Sequence, residues 1–347
     1  MERPGKLYFH LSPRVAFRTD CYLPTHWLPV PPLLAESSYE VDLLLTIWRF
    51  LDGNRAHEKQ SAALLQGLIE LLGNGSVQSC DIDCGKASFW LPGALQRALD
   101  AAGAMDIGSP DFLIGAGHQS HLPMLAARRR FGGRCVVLMK PSLPVSLFDF
   151  AVTPEHDRPP PLPNVLTTLG ALTGPLPEAS VQSNTGLILL GGPSRHFAWD
   201  CAALERDIKQ LASGSVRWTI ADSRRSPEST LLRLAQPGFT VAPWSDCASG
   251  WLERQLASVG QVWVTRDSIS MVFEALQSRA QVGILDLPSR YRKNKVYSSV
   301  QRLVDLGLVT TSLDDAFTAD ATGRAPLNQY LQIASALLRR CNLDFSR

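Results

Sequence analysis

Two doubly wound α/β domains in tandem are what this sequence predicts, on three observations. Short apolar runs alternate with longer segments of helical period from Val41 onward, the mark of βαβ units around a parallel sheet. A proline-rich stretch interrupts the alternation, which restarts at Gly186. The 347 residues leave room for two cores. The chain divides accordingly into an irregular arm over residues 1–40, a first domain over 41–180, a second over 181–325 and a helical segment over 326–347.

Residues 1–40 carry Pro4, Pro13, Pro24, Pro29, Pro31 and Pro32 and sustain no period, so they predict an arm packed on the first domain. Val41–Leu51 predicts the first strand, Asp52 to Gln60 the turn after it, and the next helix buries Leu65, Leu68, Ile69 and Leu72. Strands are expected at Val77–Ile82, Asp111–Gly115, Cys135–Met139, Phe148–Val152 and Val165–Thr168, with helices near Leu91–Ala102 and Gln119–Phe131. Arg158 to Pro163 and then Thr173–Ser183 are rich in proline and glycine and suit a junction, placed near Ser180. Beyond it come strand Gly186–Leu190, a helix from Trp199–Asp200, strand Arg217–Ala221, helix Pro227–Leu234 and strand Phe239–Ala242. Helix Gly250–Val259, strand Val262–Thr265, helix Ser268–Ser278 and strand Val282–Leu285 complete the second unit. Leu327, Tyr330, Leu331, Ala334, Leu337, Leu338 and Cys341 recur at three-and-four spacing, so the last helix has one apolar stripe and must dock on something.

Hydrophobic residues at 45% and charged residues at 19% are a globular composition, not a disordered one. A net charge of +2 is too balanced for nucleic-acid binding by bulk electrostatics, so any anion site is local. Seven scattered cysteines include no CxxC pair and read as free thiols in a reducing compartment, with no metal centre. Lys6, His10, Pro13 and Arg14 break any secretory apolar run, and no stretch of about 18 apolar residues marks a membrane span. The expectation is a cytoplasmic protein, with peripheral contact with the inner membrane surface left open.

Three strand-to-helix loops of the second domain carry anion-binding chemistry. In Gly191-Gly192-Pro193-Ser194-Arg195-His196, paired glycines let backbone amides approach a ligand, while Ser194, Arg195 and His196 add donors and charge; a tight turn is the plainer reading. Ser223-Arg224-Arg225-Ser226-Pro227 sets two arginines at the next strand end, facing the crevice or solvent. Asp267-Ser268-Ile269-Ser270-Met271 opens a helix, and Glu274, four residues beyond Ser270, can hold the two hydroxyls of a ribose; a capped helix with an exposed Glu is the alternative. No G-x-G-x-x-G or Walker loop is present, against a dinucleotide enzyme or an ATPase. In the first domain, Asp52 and His57 occupy the turn after the first strand, and either could take a proton from a hydroxyl; His57 could equally be a plain helix-start residue. Gly115 to His121 form a second polar loop, without the spacing of a zinc site, whose histidines line the cleft. Arg290, Arg292, Lys293 and Lys295 read as a solvated face or as contacts to a diphosphate or an anionic lipid head group.

Several of these strings are familiar together. Gly191 to Phe197 with Trp199-Asp200, the Ser223 to Pro227 turn, and Val264-Thr265 before Asp267-Ser268-Ile269-Ser270-Met271 resemble the mitochondrial-fission-associated family of plants and bacteria. Asp52-Gly53, His57-Glu58, Gln60, Pro154 to Pro159, Asn164-Val165 and Leu169-Gly170-Ala171-Leu172 resemble the same family, and the likeness runs from about Leu43 to Leu308. Its bacterial members are described as glycosyltransferases. The chain departs from it at Arg266, where the family has glycine, and at Gly117-His118-Gln119, where it has Gly-Arg-Arg. The resemblance implies a GT-B fold: two Rossmann-like domains facing a cleft, the second holding a nucleotide diphosphate sugar and the first an acceptor, with the last helix returning to the first domain. It implies His57, with Asp52 second, as the base; Gly117, His118 and Gln119 on the acceptor side; a saccharide or lipid-linked acceptor; and no cofactor. A non-catalytic interaction protein that keeps the fold, or a nucleotide-sugar epimerase, are the alternatives.

Overall fold

The computed structural model describes residues 44–85, 93–292, 294–314 and 324–343. The arm at 1–40, the first residues of the expected first strand, Leu91 and Lys293 lie outside them. Residues 42–346 cluster as one unit. Its first half alternates β1 (Leu45–Leu51), α1 (Arg55–Leu72), β2 (Val77–Asp83), α2 (Ala94–Ala101), β3 (Phe112–Ala116), α3 (His118–Phe131), β4 (Arg134–Leu138), β5 (Phe150–Pro154) and β6 (Val165–Thr168). Its second half runs β7 (Gln182–Leu189), α4 (Cys201–Ala212), β8 (Arg217–Ala221), α5 (Thr230–Leu234), β9 (Thr240–Ala242), α6 (Trp251–Ser258), β10 (Val259–Thr265), α7 (Ile269–Leu276), β11 (Gln281–Leu285), α8 (Lys295–Asp305) and α9 (Gln329–Arg340).

Two parallel sheets result, in the orders β2-β1-β3-β4-β5-β6 and β11-β10-β7-β8-β9. Each is covered on both faces, so β3 and most of β4 and β10 are buried along their length and read as unbroken apolar runs. In each sheet the chain first winds one way and then reverses. The reversal lies between β1 and β3 in the first sheet and between β7 and β10 in the second. Such switch points open a crevice at the carboxyl ends of the strands, where ligands of open α/β sheets bind.

Several expected boundaries shift. A 3₁₀ turn at Val145–Leu147 holds Phe148 in the core beside it, so β5 begins two residues later than expected. Pro227 to Ser229 form a turn, with Ser229 at φ 64°, and α5 is correspondingly short. β7 begins at Gln182, four residues before its apolar run, because Gln182 pairs with Val259 and Thr185 with Arg217 around a register shift. After the basic run, α8 buries Ser299, Val300 and Leu303.

The last helix packs on the first sheet's flank. Tyr330, Ile333, Ala334, Leu337, Leu338 and Cys341 share a core with Leu64 and Leu68 of α1 and with Phe112 and Ile114 of β3. At the crossing, a Cβ on Gly67 would lie 2.8 Å from the Tyr330 carbonyl oxygen, so only glycine permits this approach. The Tyr330 hydroxyl donates to Glu70 Oε2 at 2.9 Å, and Gln329 Oε1 accepts from the Leu169 amide at 3.1 Å. No described helix is long and apolar enough to cross a membrane.

Candidate functional site

At the first switch point β1 ends in Asp52-Gly53-Asn54, and Asn54 caps α1 by accepting from the Ala56 amide at 3.0 Å. Asp52 Oδ1 accepts from the Asn54 amide at 3.0 Å, which aims Oδ2 at His57 Nδ1, 2.6 Å away. The Asp52 side chain is almost buried, whereas the imidazole remains a fifth exposed. A carboxylate only accepts, so the hydrogen between them sits on Nδ1, and the neutral tautomer this selects has Nε2 as its acceptor. Against the same pair, β3 gives way to Gly117, whose φ is 82°. Its neighbours His118 and Gln119 are exposed in the first turn of α3, but His121 is not the cleft residue expected from the sequence. It is sealed inside, 3.2 Å from Ser142 Oγ and edge-on to Phe148, and burial holds its pKa below the usual histidine range.

The second switch point brings together the three loops of the second half, with a division of labour the sequence did not predict. Asp267 is wholly buried: Oδ1 accepts from Thr265 Oγ1 at 2.7 Å, and Oδ2 from the Gly192 amide at 3.1 Å and from Arg225 Nη2 at 2.8 Å. The Gly191 amide donates to Thr265 Oγ1 at 2.8 Å, and Ser223 Oγ and Ser226 Oγ both donate to the Gly191 carbonyl. Two of the amides expected to meet phosphate, together with Asp267 and much of Arg225, therefore tie the loops to one another. Side chains on these glycines would collide with the Asp267 carboxylate and the Arg225 backbone. Ser194 Oγ likewise accepts from the His196 and Phe197 amides, turning the loop. That loop does not lead straight into a helix; α4 starts ten residues on, already capped by Asp200.

The helix that follows a site loop closely is α7. It starts four residues after β10, and its N-cap Ser268 makes no side-chain capping bond, so the first-turn amides carry the helix's partial positive charge. Arg195 and Arg224 are exposed on the loops after β7 and β8, Arg195 Nε lying 3.0 Å from His196 Nε2. Ser270 and Glu274, one turn apart on α7, line a cavity of about 270 Å³ with Leu252, Glu253 and Leu256 of α6, Lys59 of α1 and the connecting segment 171–176. Met271 is half-buried against the second core.

A family model described as mitochondrial fission ELM1 matches residues 57–341. The chain belongs to the mitochondrial fission ELM1 family. No curated protein matches this ELM1-family chain. Among solved structures, a Listeria monocytogenes protein assigned as a UDP-N-acetylglucosamine 2-epimerase superposes with a TM-score of 0.54 at 11% identity, covering 87% of this chain and 98% of its own. MurG of Acinetobacter baumannii gives 0.44 at 12% identity, over 85% and 99%. The fold of this ELM1-family protein is GT-B-like, two Rossmann-like units of parallel strands.

Arg266 is buried just past the end of β10. Its Nε donates to Asp286 Oδ1 at 2.6 Å, and the guanidinium lies 4.6 Å from the centre of the Tyr297 ring. Its guanidinium donates to Asp286 and not into the three loops. Sequence reasoning passed over Lys59, whose ammonium spans the two halves to Glu253 and Glu274. Its one signal was position, two residues beyond His57 in the first turns of α1.

Proposed function

We propose that this ELM1-family protein is a glycosyltransferase, moving a sugar from a nucleotide diphosphate sugar to a saccharide or lipid-linked acceptor of the cell envelope, from the cytoplasmic side. The observation that carries the reading is the Asp52–His57 pair at the first switch point, its Nδ1 held at 2.6 Å and its Nε2 left as an acceptor. His57 Nε2 takes the proton of the acceptor hydroxyl, Asp52 steadies the imidazolium, and the oxygen bonds to the anomeric carbon as the diphosphate leaves. Gly117, His118 and Gln119 border the acceptor. The α7 amides, Ser268, Arg195 and Arg224 meet charge on the departing diphosphate, and Glu274 holds the ribose hydroxyls. Gly191, Gly192, Pro193, Ser194, His196, Ser223, Arg225 and Asp267 form the frame against which the diphosphate lies.

A thermal-shift screen across nucleoside diphosphates and their sugars tests this, since a ligand of the native state raises the melting temperature. One nucleoside diphosphate is expected to stabilise the protein. Glu274→Ala then loses about 1.5–3 kcal/mol of binding free energy, the worth of a charge-assisted hydrogen bond. No shift with any nucleotide would favour a non-catalytic member that keeps the fold. An epimerised sugar, with no transfer to any acceptor, would make it an epimerase.

A further inference from the structure

Glu274 shares its cavity with a second carboxylate and one cation. Glu253 comes from α6, and Lys59 enters from the amino-terminal half with Nζ 3.2 Å from Glu253 Oε1 and 3.4 Å from Glu274 Oε1. These are the charged groups that face Glu274: Lys59 from α1 and Glu253 from α6, while the connecting segment 171–176 lines the cavity with uncharged side chains. Leu172, Leu176, Leu252 and Leu256 make the surroundings apolar.

Such a setting is hostile to a carboxylate. An ionised Glu274 accepts hydrogen bonds through both oxygens, as two ribose hydroxyls require, whereas the protonated form offers a donor in their place. Burial pushes the Glu274 pKa up, and Glu253 pushes it the same way; Lys59 opposes both. Two neighbouring carboxylates without a cation tend to share a proton. The Lys59 ammonium has three donors, two of them directed at the glutamates, and its side chain is otherwise open to solvent. The contact can therefore persist when a ligand enters.

We propose that Lys59 is a positioning residue for the nucleotide: from the amino-terminal half, it keeps Glu274 ionised and in place as the ribose acceptor of the carboxyl-terminal half. Nucleotide affinity then depends on contact between the halves, although Lys59 touches no part of the ligand. The inference rests on the reading that Glu274 holds the ribose.

Carbon-detected NMR titration of the Glu side-chain carboxyls in the full chain, with Glu274 assigned through Glu274→Gln, tests the contact without any nucleotide. In Lys59→Met the Glu274 midpoint should rise by about 1–3 pH units, the effect of removing an opposite charge at this range. Lys59→Arg should restore it, and Glu253→Gln should lower it in the presence of Lys59. An unchanged midpoint in Lys59→Met overturns this inference alone. Calorimetric titration with UDP and with GDP tests the consequence. Lys59→Met should bind the preferred nucleotide about tenfold more weakly near pH 6 and recover toward pH 8, as Glu274 ionises, while Lys59→Arg follows the wild type. A deficit equal at all pH values would make Lys59 a direct ligand and overturn the positioning role. Failure of the wild-type protein to bind any nucleotide would remove the ribose role of Glu274, and this inference with it, whatever the carboxyl titration shows.

Discussion

Gly117 has no room for a side chain: a Cβ there would meet Asp52 Oδ2 at 2.3 Å and His57 Nδ1 at 2.4 Å. The end of β3 is thus pressed against the Asp52–His57 pair, and its glycine fixes where the imidazole stands. His57→Ala should lower turnover about 10²–10⁴-fold, the usual contribution of a general base, and leave nucleotide affinity unchanged in a binding titration. Equal losses of both would make His57 a ligand of the donor instead. Gly117→Ala should also reduce turnover with the nucleotide still bound, because the added methyl must displace the imidazole or the carboxylate. Wild-type rates in that variant would show that the pair need not stand where it does. Both members of the pair were legible in the sequence as polar residues after a strand. Their pairing was not, because it depends on the Asn54 amide taking one Asp52 oxygen and so directing the other. Asp267 misled for a related reason: a strand-end carboxylate reads alike whether it faces a ligand or the loop amides beside it.

Helices and strands were the most legible scale, since alternating apolar runs and helical periods survive any detail of packing. What escaped were boundaries set by polar residues. Gln182 to Thr185 extend β7 through backbone pairing alone, and no hydropathy pattern marks that. The stripe on α9 was visible, and the helix lies against α1, where Gly67 admits the Tyr330 backbone. This crossing gives a test with an unusual sign. In an unobstructed helix interior, Gly→Ala stabilises by about 1 kcal/mol. Here the methyl must push α9 away, and Gly67→Ala should instead lower unfolding free energy by about 1–3 kcal/mol, read from urea denaturation. A gain in stability would mean that α9 yields without loss.

At the scale of the molecule, the contacts between the halves include ion pairs such as Lys295–Asp157 at 3.4 Å and Arg302–Glu155 at 3.6 Å, which contribute little each and weaken with salt. Leu169 of the first half is buried in the core of the second, whereas the buried thiols Cys84 and Cys135 lie in the first. Cys84 and Cys135 have pKa values pushed up to about 12, chiefly by burial, with Asp83 and Asp52 adding to it at Cys84 and Asp149 at Cys135. At pH 8 roughly one such thiol in ten thousand is ionised, so alkylation of the native protein should spare both. Labelling of Cys135 should track unfolding of the first half, and rapid labelling without denaturant would contradict this burial. The placement of α9 also has a consequence in time. The first sheet is complete at Thr168, but the helix that covers the apolar side of α1 is encoded after the entire second half. At ~5–20 residues per second, the ribosome needs roughly 10–35 s to pass from Thr168 to Arg340. During that interval Leu64 and Leu68 rest on the sheet but have no α9 beside them, so the apolar side of α1 in the nascent first half stays partly uncovered until α9 has been made.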